Sequence, residues 1–128
     1  MRISIPVSVG ELFDRISILR IKSERISDPE KLVNVREELE QLESIVERDL
    51  RATSESEELE RRLTEVNTSL WEVEDEIREL EAASDFGAAF VRAARSVYRL
   101  NDERHALKRA LSVVYGSEIV EEKSYAGS

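Results

Sequence analysis

Residues 59–80, LERRLTEVNTSLWEVEDEIREL, decide how this chain folds. Leu59, Leu63, Val66, Leu70, Val73, Ile77 and Leu80 recur at alternating spacings of four and three, and charged residues fill most positions between them. That register lays one apolar seam along a helix whose other faces are wet. Seven seam positions fit without a miss. The helix is therefore long, about 28 residues or roughly 40 Å.

The same register recurs on both sides of it. Downstream, Phe86, Phe90, Ala93, Val97, Leu100, Arg104, Leu107, Leu111 and Val114 form a second seam. Upstream, Leu32, Val35, Leu39, Leu42, Val46 and Leu50 form a third. A fourth runs through Val9, Leu12, Ile16, Leu19, Ser23 and Ile26, with Phe13, Ile18 and Ile21 off the line. This first helix is apolar on more than one face and is expected to be the most enclosed. Start signals separate the four. They are Ser8-x-x-Glu11 with the Val7/Leu12 staple, Asp28-Pro29-Glu30, Ser54-x-x-Glu57, and Ser84-Asp85. Gly116 is a stop. The spans predicted are about 9–26, 29–51, 55–83 and 86–115. Short connections make sequential helices antiparallel, so the expected fold is all-α, a single domain over 1–128 built as an antiparallel four-helix bundle. The ends read as extended. Ile3, Ile5 and Val7 alternate as in a short edge strand, and 117–121 could pair with them; both tails are expected to pack on the bundle.

Composition narrows the function classes. The 128 residues carry 28 acidic and 19 basic side chains, a formal charge of −9. Such a surface does not attract nucleic acid or an anionic membrane. There is no cysteine and one histidine, which excludes disulfides and the usual zinc sites. No apolar run approaches the roughly 18 residues needed to span a bilayer, and the start has no signal core. The expected location is cytoplasmic.

Arg104 breaks the fourth-helix seam, flanked by Asn101, His105 and Lys108. A guanidinium in a seam keeps its charge and must find a partner. That partner is a Glu across the bundle or an anionic ligand, unless the stem packs while the head reaches solvent. Asn101, Arg104 and Lys108 share one edge and could hold a carboxylate or phosphate. A second polar row, Asn67, Trp71, Glu74 and Arg78, flanks the third-helix seam. Trp71, the single tryptophan, lies off the seam's centre and implies another contact surface. Two enzyme comparisons are weaker. Glu72, Asp75, Glu76 and Glu79 resemble in type the magnesium motifs of all-helical nucleotide pyrophosphohydrolases, but Glu37, Glu38 and Glu40 are not spaced to match. Asp14-Arg15-Ile16, Arg25, Lys31 and Arg36-Glu37 loosely resemble helical chorismate mutases, without the polar residue near the last helix's end. No nucleophile–base pair, metal constellation or phosphate loop is present, so neither a reaction nor a cofactor is expected.

A closer resemblance covers nearly the whole chain. Pro6-Val7-Ser8-Val9-Gly10-Glu11-Leu12 with Asp14-Arg15-Ile16-Ser17-Ile18-Leu19 resembles the opening of the domain of unknown function 6165 family, small uncharacterised bacterial and phage proteins. The likeness continues through Lys31-Leu32, Asn34, Val66-Asn67, Leu70-Trp71 and Glu74-Asp75. It resumes at Val97-Tyr98, Asn101-Asp102-Glu103-Arg104, Leu107-Lys108-Arg109, Gly116-Ser117 and Glu121-Glu122-Lys123-Ser124-Tyr125; residues 50–58 do not share in it. It implies membership and no activity. The expected role is a homodimeric binding or assembly module, with part of helices 2 or 3 in the interface. The alternative is a small enzyme or sensor that binds an anionic metabolite through the last helix.

Overall fold

The computed structural model describes residues 1–122. They form four helices, α1 (Val9–Arg25), α2 (Pro29–Asp49), α3 (Ser54–Ala82) and α4 (Ala88–Val114), and no strand is present among the described residues. The helix ends follow local chemistry, though not always the residues expected. Ser8 caps α1 by accepting from the Glu11 amide; the Glu11 carboxylate does not return the favour and turns elsewhere. Asp28 caps α2, with Pro29 at the first turn. The capping box of α3 is Thr53/Ser56 and not Ser54/Glu57: Ser56 Oγ accepts from the Thr53 amide, and Thr53 Oγ1 accepts from the Ser56 amide. Ser84-Asp85 does not cap α4. Ser84 instead closes α3 in the left-handed region at φ 53°, and α4 starts at Gly87 with no side-chain cap.

α3 and α4 form a long antiparallel hairpin, and α1 lies in the groove along one side of it. Direction follows from the contacts. Gly10 and Asp14 of α1 meet Ser112 and Arg104 of α4, so these two helices are antiparallel. Asp14, Ser17 and Arg25 meet Asn67 and Glu72 of α3, so α1 and α3 run the same way. The core sits where the three meet, with Phe13, Leu63, Val66, Leu107 and Leu111 buried together. As expected, α1 is the most enclosed helix. α2 packs along α1 and not alongside α3 or α4; Val46 and Leu50 reach the core only at its C-terminal end. The bundle is therefore a three-helix core with α2 laid on α1.

Gly10 sets how closely α1 approaches α4. A Cβ there would lie 2.6 Å from the Lys108 carbonyl carbon. At the other end, α1 stops at Arg25, which reaches Glu72. α3 continues to Ala82, so the hairpin tip rises past α1. Phe86 and Phe90 pack edge to face there, with centroids 5.3 Å apart.

The terminal segments differ from the strand pairing expected. Residues 1–7 are extended, and Ile3 and Ile5 are exposed. They border a groove of about 710 Å³ against Leu12 of α1 and Leu42 and Ile45 of α2. The other tail is held by side chains instead: Glu121 and Glu122 bind Lys108 and Arg109 of α4. The Gly116 stop forms as expected, at φ 65°. The Ser117 amide donates to Ser112 O and the Gly116 amide to Val113 O, the paired bonds of a Schellman turn.

Candidate functional site

The partner of Arg104 is Asp14 of α1, not a glutamate. Its Nε donates to Asp14 Oδ1 at 2.8 Å and its Nη2 to Oδ2 at 2.5 Å, a two-pronged pair. Asp14 is 1% exposed. Asn67 of α3 completes the group, with Nδ2 donating to Asp14 Oδ1 at 3.0 Å and to Ser17 Oγ at 2.6 Å. Ser17 Oγ in turn donates to the Asp14 carbonyl. One carboxylate thus ties α1, α3 and α4 at the same level. The Asp14 hydrogen bond raises the Arg104 pKa against the opposing pull of burial.

A second group lies about one turn lower on α4. Lys108 Nζ donates to Glu11 Oε2 at 2.7 Å and to Glu121 Oε2 at 2.9 Å. Ser8 Oγ donates to the other Glu121 oxygen at 2.8 Å. Burial alone would lower the Lys108 pKa, but hydrogen bonds to Glu11 and Glu121 outweigh it and the pKa is raised. The same balance works in reverse on the acids. Burial favours neutral Glu11 and Glu121, yet Lys108, with Arg15 on one and Ser8 on the other, holds both below the usual carboxylate range. The first amides of α1 are satisfied beside them: Val9 donates to Ser117 Oγ and Gly10 to Ser112 Oγ. Serines on α4 and the tail thus cap a helix distant in sequence.

Of the residues singled out in sequence, Arg104, Lys108 and Asn67 share this polar spine, while Asn101 is half-buried one turn above Arg104. Trp71 is half-buried on α3, and Glu74 and Arg78 stand exposed further along the same row. These last three are not joined to the spine by any hydrogen bond or ion pair among the described residues. Asp14, Ser17, Glu11, Ser8 and Glu121 were not placed in the candidate site, although Asp14 stood in the weaker enzyme comparison and Ser8 and Glu11 in the first start signal. A signal existed for two of them: Gly10, Asp14, Ser17 and Ile21 recur at four, three and four, and all four are buried. Chemically the spine is self-contained, since both cations already hold carboxylates. Among the described residues no three His, Asp or Glu side chains are grouped to hold a metal ion, and no helix is long and apolar enough to cross a membrane.

Fold and site together define an all-α bundle in which Asp14 with Arg104, and Lys108 with Glu11 and Glu121, join its own segments. The chain belongs to the family of unknown function DUF6165, whose model matches residues 1–128; the closing Lys123-Ser124-Tyr125 of the likeness read in sequence lies outside the described residues. No curated protein and no solved structure matches it.

Proposed function

We propose that the protein is a self-associating helical module, a homodimer whose role is binding and assembly rather than catalysis. One observation carries this reading: the hairpin tip rises past α1 with apolar side chains uncovered. Phe86, Val91 and Tyr98 are each at least half exposed, and the half-buried Ile77, Leu80, Phe90 and Val97 lie along the same stretch. An apolar group at the tip of a hairpin in so highly charged a chain fits a protein contact; Met1, Ile3, Ile5, Val113 and Ile119 are a separate exposed apolar set away from it. The interface then draws on α3, as its seam suggested, and on α4 in place of α2. A coiled-coil-like packing and a cytoplasmic setting belong to the same proposal and rest on the sequence pattern.

The metabolite-sensor alternative asks more of the site. An incoming anion would have to displace Asp14 from Arg104, or Glu11 and Glu121 from Lys108, and each displaced carboxylate would then need a new partner. The self-association reading is tested by light scattering over roughly 1–100 µM, the range of ordinary weak dimers. The expected result is a mass rising toward twice 14.7 kDa. A mass that stays at one chain throughout refutes it.

A further inference from the structure

The open face above α1 has a shape and a charge pattern that together fit one occupant. α1 marks the lower edge: its last side-chain link to the hairpin is Arg25 to Glu72, and α3 continues from there to Ala82, roughly 15 Å of further helix. The row of α3 that faces α1 is fixed by Asn67, which bonds Asp14 and Ser17. Helical spacing carries that row upward through Trp71 to Glu74 and Arg78. On α4 the row facing α1 is fixed by Arg104 and Lys108, and the same spacing carries it to Val97 and Phe90. Above α1 the hairpin thus presents a shelf two helices wide. It is floored by Ile77, Phe90 and Val97, with Glu74 and Arg78 along one side.

We propose that this shelf is filled by the same shelf of a second copy, inverted, with Glu74 of each protomer paired to the partner's Arg78. This rests on the self-association reading and specifies its geometry. Sterics choose the inverted arrangement. Two copies facing each other with tips pointing the same way would drive α1 against α1. Inversion instead stacks tip on tip, and the end of each α1 abuts the other hairpin. A two-fold axis makes such an interface use one patch twice.

Charge then sets the register. Glu74 and Arg78 are opposite in sign and four residues apart, and neither forms an ion pair among the described residues. A two-fold axis passing between them brings each onto its opposite, twice per dimer. The same axis sets Glu81 opposite the partner's Trp71, so no like charges meet along the row. Asp75, Glu76 and Glu79 lie off this row by their spacing and stay toward solvent, and Glu72 is held by Arg25 of its own chain.

Charge exchange tests this. Sedimentation velocity is run on the wild type, Glu74→Arg, Arg78→Glu and the double exchange Glu74→Arg/Arg78→Glu, with thermal melts of each to verify folding. The expected result is a dimer for the wild type and the double exchange, and for each single variant a Kd weaker by about tenfold or more, as like charges now face each other. A 1:1 mixture of the two single variants is expected to recover the dimer, because one contributes two cations and the other two anions. Four equally strong dimers would overturn this pairing while leaving self-association standing. Weakened single variants that neither the exchange nor the mixture rescues would overturn it too. A wild type that remains monomeric removes the self-association reading itself.

Discussion

Removing the Arg104 guanidinium would leave the Asp14 carboxyl almost wholly buried without its cationic partner, with the Asn67 amide as its remaining side-chain donor. Breaking one side of such a pair costs far more than the pair itself contributes. Arg104→Met is therefore expected to destabilise by about 3 kcal/mol, read as a shifted denaturant midpoint. Arg104→Met with Asp14→Asn should recover most of that loss, since a neutral amide needs no counter-charge. A single variant as stable as wild type would mean that Asp14 is not held as described. Gly10 acts through space rather than charge. Its missing Cβ is replaced by the Lys108 backbone, and backbone cannot rotate away as a side chain can. Gly10→Ala must push α1 off α4 and is expected to cost about 3 kcal/mol, while also loosening the Gly10 amide from Ser112 Oγ. Thermal melts of Gly10→Ala beside Gly87→Ala provide the comparison, because a Cβ at Gly87 would meet only an Asp85 side-chain oxygen at 3.3 Å.

Helix ends and the tail carry the next layer. Ser84 closes α3 in the left-handed region with both Schellman bonds made, its amide to Glu81 O and that of Asp85 to Leu80 O. A Cβ is strained there and glycine is not, so Ser84→Gly should stabilise by about 1 kcal/mol in a thermal melt; a fall in Tm would contradict it. The tail clasp responds to pH. Glu11 and Glu121 have lowered pKa values when folded, so their contribution is present above the unfolded value of about 4.3 and is lost as pH falls through their folded values. Lys108 has a raised pKa, so its contribution is present below the unfolded value of about 10.4 and is lost as pH rises through its folded value. The clasp is expected to hold between these limits and open on the acid side first. Amide chemical shifts of Ile119 and Glu121 would show this, and Glu121→Gln should flatten the acid transition. An unchanged acid transition in that variant would separate the tail from Lys108.

At the scale of the molecule, the four helices were legible because each carries a seam at one repeating spacing, and periodicity survives without knowledge of neighbours. Their spans came within two residues of those observed. The arrangement was less legible. Nothing in the seam of α2 says that it meets α1 and no other helix, because a seam fixes a face and not the face's partner. The site was half visible for a related reason. Arg104 stood out as a charge in an apolar row, whereas Asp14 sits on a helix apolar on several sides, where no single row exposes it as an intruder. The asymmetric packing has a dynamic consequence. α1, α3 and α4 share Phe13, Leu63, Val66, Leu107 and Leu111 and are bound by the Asp14 spine, so opening any of them exposes the common core. α2 buries only Val35 fully, and a partly exposed pair, Arg20 with Glu43, links it to α1 at 3.7 Å. Such exposed pairs contribute about 0–1 kcal/mol. α2 should therefore open on its own, below the free energy of global unfolding. Native-state hydrogen exchange is expected to show the central amides of α2, around Val35 to Leu42, exchanging at lower opening free energy than those of Leu63, Leu107 and Leu111. Added denaturant should bring the two groups together only as global unfolding takes over. Equal protection across all four helices would mean that α2 is held by more than its contact with α1, and the three-helix core would have to be redrawn as four.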